Sequence, residues 1–266
     1  MFPIGEQPDF MKDLDQIDVM PEEIALQGKT KNLERLKDFP NIKKLWLFTV
    51  NQAEFDLILK YVRPKEIYVY EMKVEDLSAL EHLSDTEQIY LCWNPKATKL
   101  WDLTKNRNLK SLLIEDFKKL NDLEALQHGH ALEELALSGG ISNPLNIDTL
   151  APLKNLAALK NLNLTNIRIK DNSLEPLAKL THLLKLTISN QLPTEEYARL
   201  SVALPHTECE YFKPYVKLDS PIDGKDIMVV GKRKPFLNSS TDLEKLKKYI
   251  KQFREYQENF KNQYKK

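Results

Sequence analysis

The sequence predicts an α/β solenoid, with a curved parallel sheet on its concave face and helices or turns on its convex face. The first observation is a six-residue apolar pattern, L-x-x-L-x-L, which recurs in strong or weak form nine times. The second is its spacing, since successive copies lie 21 to 27 residues apart. The third is the apolar period of three to four between copies, as in DLSALEHL, which is helical spacing. The fourth position of each copy is Ile24, Leu45, Ile67, Ile89, Leu112, Leu135, Leu162, Leu186 and Cys209.

With these repeats, over roughly residues 20–212, the chain resembles the leucine-rich repeat superfamily in its short-repeat bacterial type. The resemblance implies the fold and does not imply a function. The family usually places Asn or Cys three residues after the last strand leucine, where the side chain bonds the turning backbone. Here only Asn94 conforms, so we expect irregular or helical convex turns. The complete column reads Val50, Met72, Asn94, Phe117, Gly140, Ile167 and Gln191.

Three parts follow: an acidic N-terminal cap over residues 1–20, a solenoid of about nine repeats over 21–212, and a C-terminal cap over 213–266. Stacked repeats share one core and need caps at both ends. The C-terminal cap is predicted to hold a strand at 227–230 and an amphipathic helix that begins with a capping box between Thr241 and Glu244. This helix either seals the last sheet edge or detaches to bind a partner. Its expected apolar stripe is Leu243, Leu246, Ile250, Phe253 and Phe260.

Charge is balanced overall, with 39 basic and 39 acidic side chains, but its distribution is uneven. Residues 1–24 carry seven acidic groups and one basic group, whereas residues 225–266 carry twelve basic and five acidic groups. Two solvated ends explain this pattern. A basic tail for nucleic acid or an acidic surface is the alternative, which the interspersed acids oppose. No apolar run reaches the ~18 residues of a membrane span, and the N-terminus lacks signal-peptide features, so we expect a cytoplasmic protein.

No constellation of catalytic or metal-binding residues is visible, so we expect a protein without enzymatic activity, cofactor or metal. The chain has seven glycines and no phosphate-binding loop motif. Cys92 and Cys209 lie five repeats apart, roughly 24 Å at the strand spacing of a sheet, which is too far for a disulfide. His128 and His130 are a close pair without further ligands. The insertion at 138–148 is either a tolerated loop or part of a binding face.

The residues that point away from the core carry the main functional signal. In three consecutive repeats the concave positions hold Trp46, Phe48, Tyr68, Tyr70 and Tyr90, with Lys44, Glu66 and Glu115 as a charged flank. Half-exposed, five such rings form a patch of several hundred Å². Three explanations remain open: a partner binds there, the N-terminal segment with Phe2, Phe10 and Met11 covers the rings, or the rings only stabilise the sheet.

The sequence therefore predicts a protein–protein interaction module that binds another protein or peptide on its concave face through this aromatic patch. An inhibitor or immunity protein is a specific form of this hypothesis. The alternative is a nucleic-acid or acidic-surface binder that uses the Lys-rich C-terminal helix. A monomer is favoured. Replacing Trp46, Tyr68 and Tyr70 with alanine is expected to weaken partner capture while leaving unfolding largely unchanged.

Overall fold

The computed structural model describes residues 6–264 and contains fourteen strands there. Nine of them form one parallel sheet, in the order β1-β2-β3-β4-β5-β6-β7-β9-β11. In chain order the strands are β1 (Phe10–Asp13), β2 (Glu23–Lys31), β3 (Lys44–Phe48), β4 (Glu66–Tyr70), β5 (Gln88–Asn94), β6 (Ser111–Phe117), β7 (Glu134–Ser138), β8 (Leu145–Ile147), β9 (Asn161–Thr165), β10 (Ile167–Ile169), β11 (Lys185–Ile188), β12 (Tyr215–Ile222), β13 (Lys225–Val229) and β14 (Phe236–Leu237).

Register in the main sheet follows the repeat. The eight pattern residues from Ile24 to Leu186 pair with one another from β2 to β11, one per strand. They are all buried in one continuous core, as a stack of units that cannot bury an apolar face alone requires. The predicted α/β leucine-rich repeat architecture is confirmed. The ninth copy differs, because it joins the sheet by a single bridge between Lys185 and Glu208 and forms no strand.

The convex side is built mainly from short 3₁₀ helices. Two α-helices also lie there, α1 (Gln52–Tyr61) and α2 (Thr194–Ala203). Pro152 and Pro176 lie in the first turn of their 3₁₀ helices, where a missing N–H costs little. The 3₁₀ helices span Leu14–Gln16, Leu33–Asp38, Ser78–His82, Leu103–Lys105, Glu124–His128, Ala151–Asn155 and Glu175–Lys179.

Asn94 is the one repeat asparagine that plays the expected backbone role. Its side chain is fully buried, donates to the carbonyl of Val74 at 2.7 Å and accepts from the backbone N–H of Lys96 at 2.9 Å. Elsewhere in the same column apolar side chains fill the core instead, including Val50 and Met72, which are fully buried. Apolar packing thus replaces the asparagine ladder, and the turns close as 3₁₀ or α-helices.

The backbone turns sharply at the same point of successive repeats. The residue after the last concave position has a left-handed conformation in five repeats, with φ between +49° and +59°. Non-glycine residues adopt this conformation at a cost of roughly 1–2 kcal/mol, so the bend is imposed by the stacked repeats. The five residues are Thr49, Glu71, Trp93, Asp116 and Asn166.

The insertion at 138–148 is part loop and part strand. β8 lies inside it and pairs in parallel with β10, giving a second, two-stranded sheet. The side chain of Ile141 at the loop tip is fully exposed. A Cβ at position 140 would lie 2.3 Å from Cγ of Asp116, so a larger residue there would require that carboxylate to move. Whether the loop contributes to a binding face stays a prediction.

A three-stranded antiparallel sheet and a long helix, α3 (Leu243–Tyr264), follow the last repeat. The sequence predicted one strand here, and the structure has β12, β13 and β14. The helix packs against α2, with Leu246, Phe253 and Phe260 buried. Leu243 was expected in this stripe but is half-exposed.

The predicted capping box is wrong. The helix begins at Leu243, and Glu244 pairs with Lys247 at 2.8 Å instead of returning to Thr241. Asp242 holds the preceding turn, because its carboxylate accepts from the backbone N–H of Asn238 at 3.1 Å.

The N-terminal segment adds β1 to the sheet edge beside β2. Asn32 ties this cap to the first repeat, since its amide donates to the carboxylates of Asp13 at 2.8 Å and Asp15 at 2.7 Å. Arg35 pairs with Asp15 at 2.8 Å. Within residues 6–264, no helix combines the length and the apolar character that crossing a membrane requires.

Candidate interaction surface on the concave sheet

Six aromatic rings lie together on the concave face and are called the aromatic cluster below: Phe10, Trp46, Phe48, Tyr68, Tyr70 and Tyr90. Strand pairing aligns them, since Trp46 faces Tyr68 across β3 and β4, and Tyr68 faces Tyr90 across β4 and β5. Trp46 stacks on Tyr68 with ring centroids 5.3 Å apart, and Phe48 stacks on Tyr70 at 4.7 Å. The structure therefore brings together all five aromatic residues that the sequence singled out.

Phe10 is not one of the five aromatic residues predicted on the concave face. The sequence predicted it only as part of an N-terminal segment that covers those rings. Its register partner is Ala25 on β2, and its ring meets Phe48 edge-on at 4.9 Å. In the concave column that holds Trp46, the strand β2 has only the small Ala25, which leaves a gap beside the rings. This gap was the one sequence feature that could have predicted an aromatic neighbour there. Met11, the second covering candidate, faces the main core instead. Phe2, the third, lies outside the described residues.

The rings of the aromatic cluster fall into two sets by burial, called its layers below. Trp46 and Tyr68 have no exposed surface and Tyr90 is 8% exposed, whereas Phe48 and Tyr70 are half-buried. The expectation of five half-exposed rings is therefore wrong for the three central ones. The expectation that the alanine triple variant leaves unfolding unchanged is also wrong, because removing two buried rings creates cavities.

Polar groups anchor the central rings. The hydroxyl of Tyr68 donates to Glu66 at 2.8 Å, and that of Tyr90 donates to Glu115 at 3.2 Å. Lys44 lies 3.7 Å from Glu66 and 3.6 Å from Glu23. The predicted charged flank is therefore assembled, and two of its carboxylates fix tyrosine rings as well as facing solvent.

Burial raises the pKa of the cluster tyrosines. For Tyr70 the loss of hydration raises it to about 12, and the nearby Cys92 and Glu115 act in the same direction. Desolvation also raises the pKa of Tyr68 and Tyr90, with Glu66 adding to the effect at Tyr68. These phenols are therefore neutral hydrogen-bond donors at physiological pH.

A groove opens where the aromatic residues end. Its volume is about 340 Å³, and its floor is made of small side chains on β6 and β7, including Ser111, Ala136 and Ser138. Tyr90 and Leu113 form one wall and Asn163 the other. The side-chain oxygen of Asn163 is buried and has no hydrogen-bond partner within residues 6–264. The step from large to small side chains thus shapes the groove.

Other sequence candidates are dispersed. Cys92 and Cys209 are both free and half-buried, and desolvation raises the pKa of each thiol, that of Cys209 to about 11. Raised thiol pKa values disfavour a nucleophilic thiolate. In the part of the chain that the structure describes, no group of three or more His, Cys, Asp or Glu side chains is arranged to hold a metal ion.

The Lys-rich helix α3 is docked and largely charge-paired. Gln257 of α3 donates a 2.8 Å hydrogen bond to Ser201 of α2. The guanidinium of Arg199, also on α2, lies over the ring of Phe260. Several of its lysines are paired with neighbouring carboxylates, for example Lys247 with Glu244 and Lys261 with Glu258. Such pairing lowers the net positive field that a nucleic acid would meet.

No family model matches the chain, and no curated protein matches it in sequence. Solved structures do match. An internalin from Listeria monocytogenes is 21% identical, with a TM-score of 0.55 over 69% of this chain and 52% of the internalin. A leucine-rich repeat protein of Leptospira interrogans is 18% identical, with a TM-score of 0.59 over 74% of this chain and 51% of that protein. This chain thus spans about half the length of either protein. It has the leucine-rich repeat fold of these bacterial proteins.

Proposed function

We propose that the chain is a non-enzymatic binding module that holds another protein or peptide on its concave sheet. The observation that carries the proposal is the two-layered aromatic cluster beside an open groove. Phe48 and Tyr70 are half-buried and stack on each other beside the fully buried rings of Trp46 and Tyr68. Rings held in this way lose little conformational entropy when a partner covers them, and aromatic side chains dominate interface hot spots.

The groove extends this surface with polar groups. Ser111, Ser138 and Asn163 line it, and the carboxylate of Glu115 stands on the aromatic side. A partner segment that lays apolar side chains on Phe48 and Tyr70 and donates hydrogen bonds into the groove fits both regions. Trp46, Tyr68 and Tyr90 pack beside these two rings and hold them in place, while Lys44 and Glu66 form the charged edge.

An inhibitor or immunity role is a narrower form of the same proposal, since a concave sheet can mask a partner's active surface. We place the protein in the cytoplasm, where two unpaired cysteines are ordinary. Binding through α3 to an acidic surface is the weaker candidate, because its lysines have carboxylate neighbours.

The test uses arginine substitutions that fill the groove without disturbing the core. Ser138→Arg places a long side chain on the groove floor, and Ala157→Arg places the same side chain on the exposed convex surface. Both variants are used with wild type as bait in native lysate. A partner retained by wild type and Ala157→Arg but lost by Ser138→Arg supports the proposal. Equal retention by Ser138→Arg contradicts it.

A further inference from the structure

A second concavity lies away from the aromatic cluster, at the seam between the last repeats and the C-terminal cap. Its walls are β10, the segment 188–192 of the next repeat, and the cap residues Lys232 and Arg233. Its volume is about 410 Å³, within the range of roughly 300–1,000 Å³ typical of small-molecule sites.

Hydrogen bonds fix this cleft. Asn190 bridges to the cap, since its amide donates to the carbonyl of Val229 at 3.2 Å and its oxygen accepts from the backbone N–H of Gly231 at 2.7 Å. The backbone N–H of Lys232 donates to the carbonyl of Leu192 at 2.7 Å. The turn that carries Lys232 and Arg233 is therefore held against the last repeat, and the cleft is preformed.

Within residues 6–264, the charged residues that line the cleft are all basic. Four basic residues and no acidic residue line it: Arg168, Lys170, Lys232 and Arg233 are the basic ones. Lys170 pairs outside the cleft with Asp148, and Lys232 donates to the amide oxygen of Asn172 at 3.2 Å. Over residues 6–264, neither Arg168 nor Arg233 has a carboxylate within ion-pair distance.

The floor of the cleft is apolar. Ile167, Ile169, Ile188 and Leu192 line it, and each retains only a few per cent of exposed surface. A site with an apolar floor and a cationic rim matches a ligand with an apolar body and an anionic head. Guanidinium groups favour phosphate oxygens, because their planar fork donates two parallel hydrogen bonds.

We propose that this cleft binds a small organic phosphate, with the phosphate at Arg168 and Arg233 and the apolar body on the isoleucine floor. The site lies away from the aromatic cluster and the groove beside it, although Ile188 belongs to β11 of the main sheet, and it does not depend on the function proposed for that surface. Gln191 adds an amide group at the rim for the remaining phosphate oxygens.

Phenyl phosphate is the probe, titrated into the full chain by calorimetry at low ionic strength. The expected result is saturable binding that is weakened about tenfold or more by Arg168→Gln and by Arg233→Gln, because each removes a charge-assisted hydrogen bond. Arg107→Gln is the matched control, since Arg107 is equally exposed on the convex side, and it is expected to leave the affinity unchanged.

Two further arms sharpen the result. Inorganic phosphate is expected to bind more weakly than phenyl phosphate, and uncharged phenol is expected not to bind. No heat of binding at about 10 mM phenyl phosphate, or equal weakening by Arg107→Gln, would overturn the proposal. Equal affinities for the two phosphates would overturn the role of the apolar floor.

Discussion

Trp46→Ala is the perturbation that most sharply tests the buried layer of the aromatic cluster. The Trp46 side chain has no exposed surface and stacks on Tyr68 at 5.3 Å. A buried tryptophan covers about 150–250 Å², which corresponds to about 4–6 kcal/mol at ~25 cal/mol per Å². Within residues 6–264, Trp46 Nε1 is buried without a hydrogen-bond partner, and removing that unpaired group returns about 1–3 kcal/mol. The expected net loss in free energy of unfolding is therefore about 3 kcal/mol.

Urea denaturation followed by circular dichroism measures this loss, provided that each variant unfolds in a single transition. Trp46→Phe keeps a ring against Tyr68 and removes the unpaired N–H, so we expect it to cost about 1 kcal/mol or less. Trp93→Ala is the matched control, because Trp93 is 43% exposed, and it is expected to cost less than about 1 kcal/mol. A Trp46→Ala variant as stable as Trp93→Ala would refute the two-layered description.

Three other outcomes follow from single groups. The pKa of Tyr70 is about 12 in the folded chain and ~10 in the unfolded chain. The contribution of the neutral Tyr70 phenol to stability is therefore complete below pH ~10 and is lost as the pH rises through ~12. Phenolate absorbance and unfolding measured across this pH window test the loss, and Tyr70→Phe is expected to lose less stability over the same window. Gly231→Ala is expected to destabilise the fold by about 2 kcal/mol or more, because φ at Gly231 is +126° and a Cβ would lie 2.1 Å from Thr194 Oγ1. Gly224→Ala is expected to cost about 1 kcal/mol, because Gly224 has open space around it. Thermal melts compare the two variants. Thr49→Gly is expected to stabilise by about 1 kcal/mol by relieving a left-handed β-branched residue at φ +54°, and a melting temperature below wild type would contradict this.

The repeat pattern was sufficient to predict the register of the main sheet, because each strand must place its leucines in one shared core. The same alternation correctly assigned the concave columns, so the five aromatic residues were found together as predicted. Side-chain period determines the face on which a residue lies. It does not determine how deeply neighbouring rings cover one another, and for that reason the complete burial of Trp46 and Tyr68 was missed.

The repeat pattern also could not predict features that form only when distant parts of the chain come together. β1 pairs with β2 through only a few residues, which is too short for a periodic signal. The capping box failed because α3 begins only at Leu243 and the backbone N–H of Thr241 donates to Asn238 instead of Glu244. The cationic cleft joins Arg168 with Arg233, 65 residues later in the chain, and no local motif connects residues so far apart.

The most direct test of the binding proposal is radical footprinting of the chain alone and in complex with the partner captured by the wild-type protein. Tyr70 and Phe48 are half-buried on the concave face, and Tyr61 is similarly half-buried on the convex helix α1. The proposal predicts that oxidation of Tyr70 and Phe48 slows severalfold in the complex while oxidation of Tyr61 is unchanged. Protection of Tyr61 with unchanged oxidation of Tyr70 and Phe48 would contradict it.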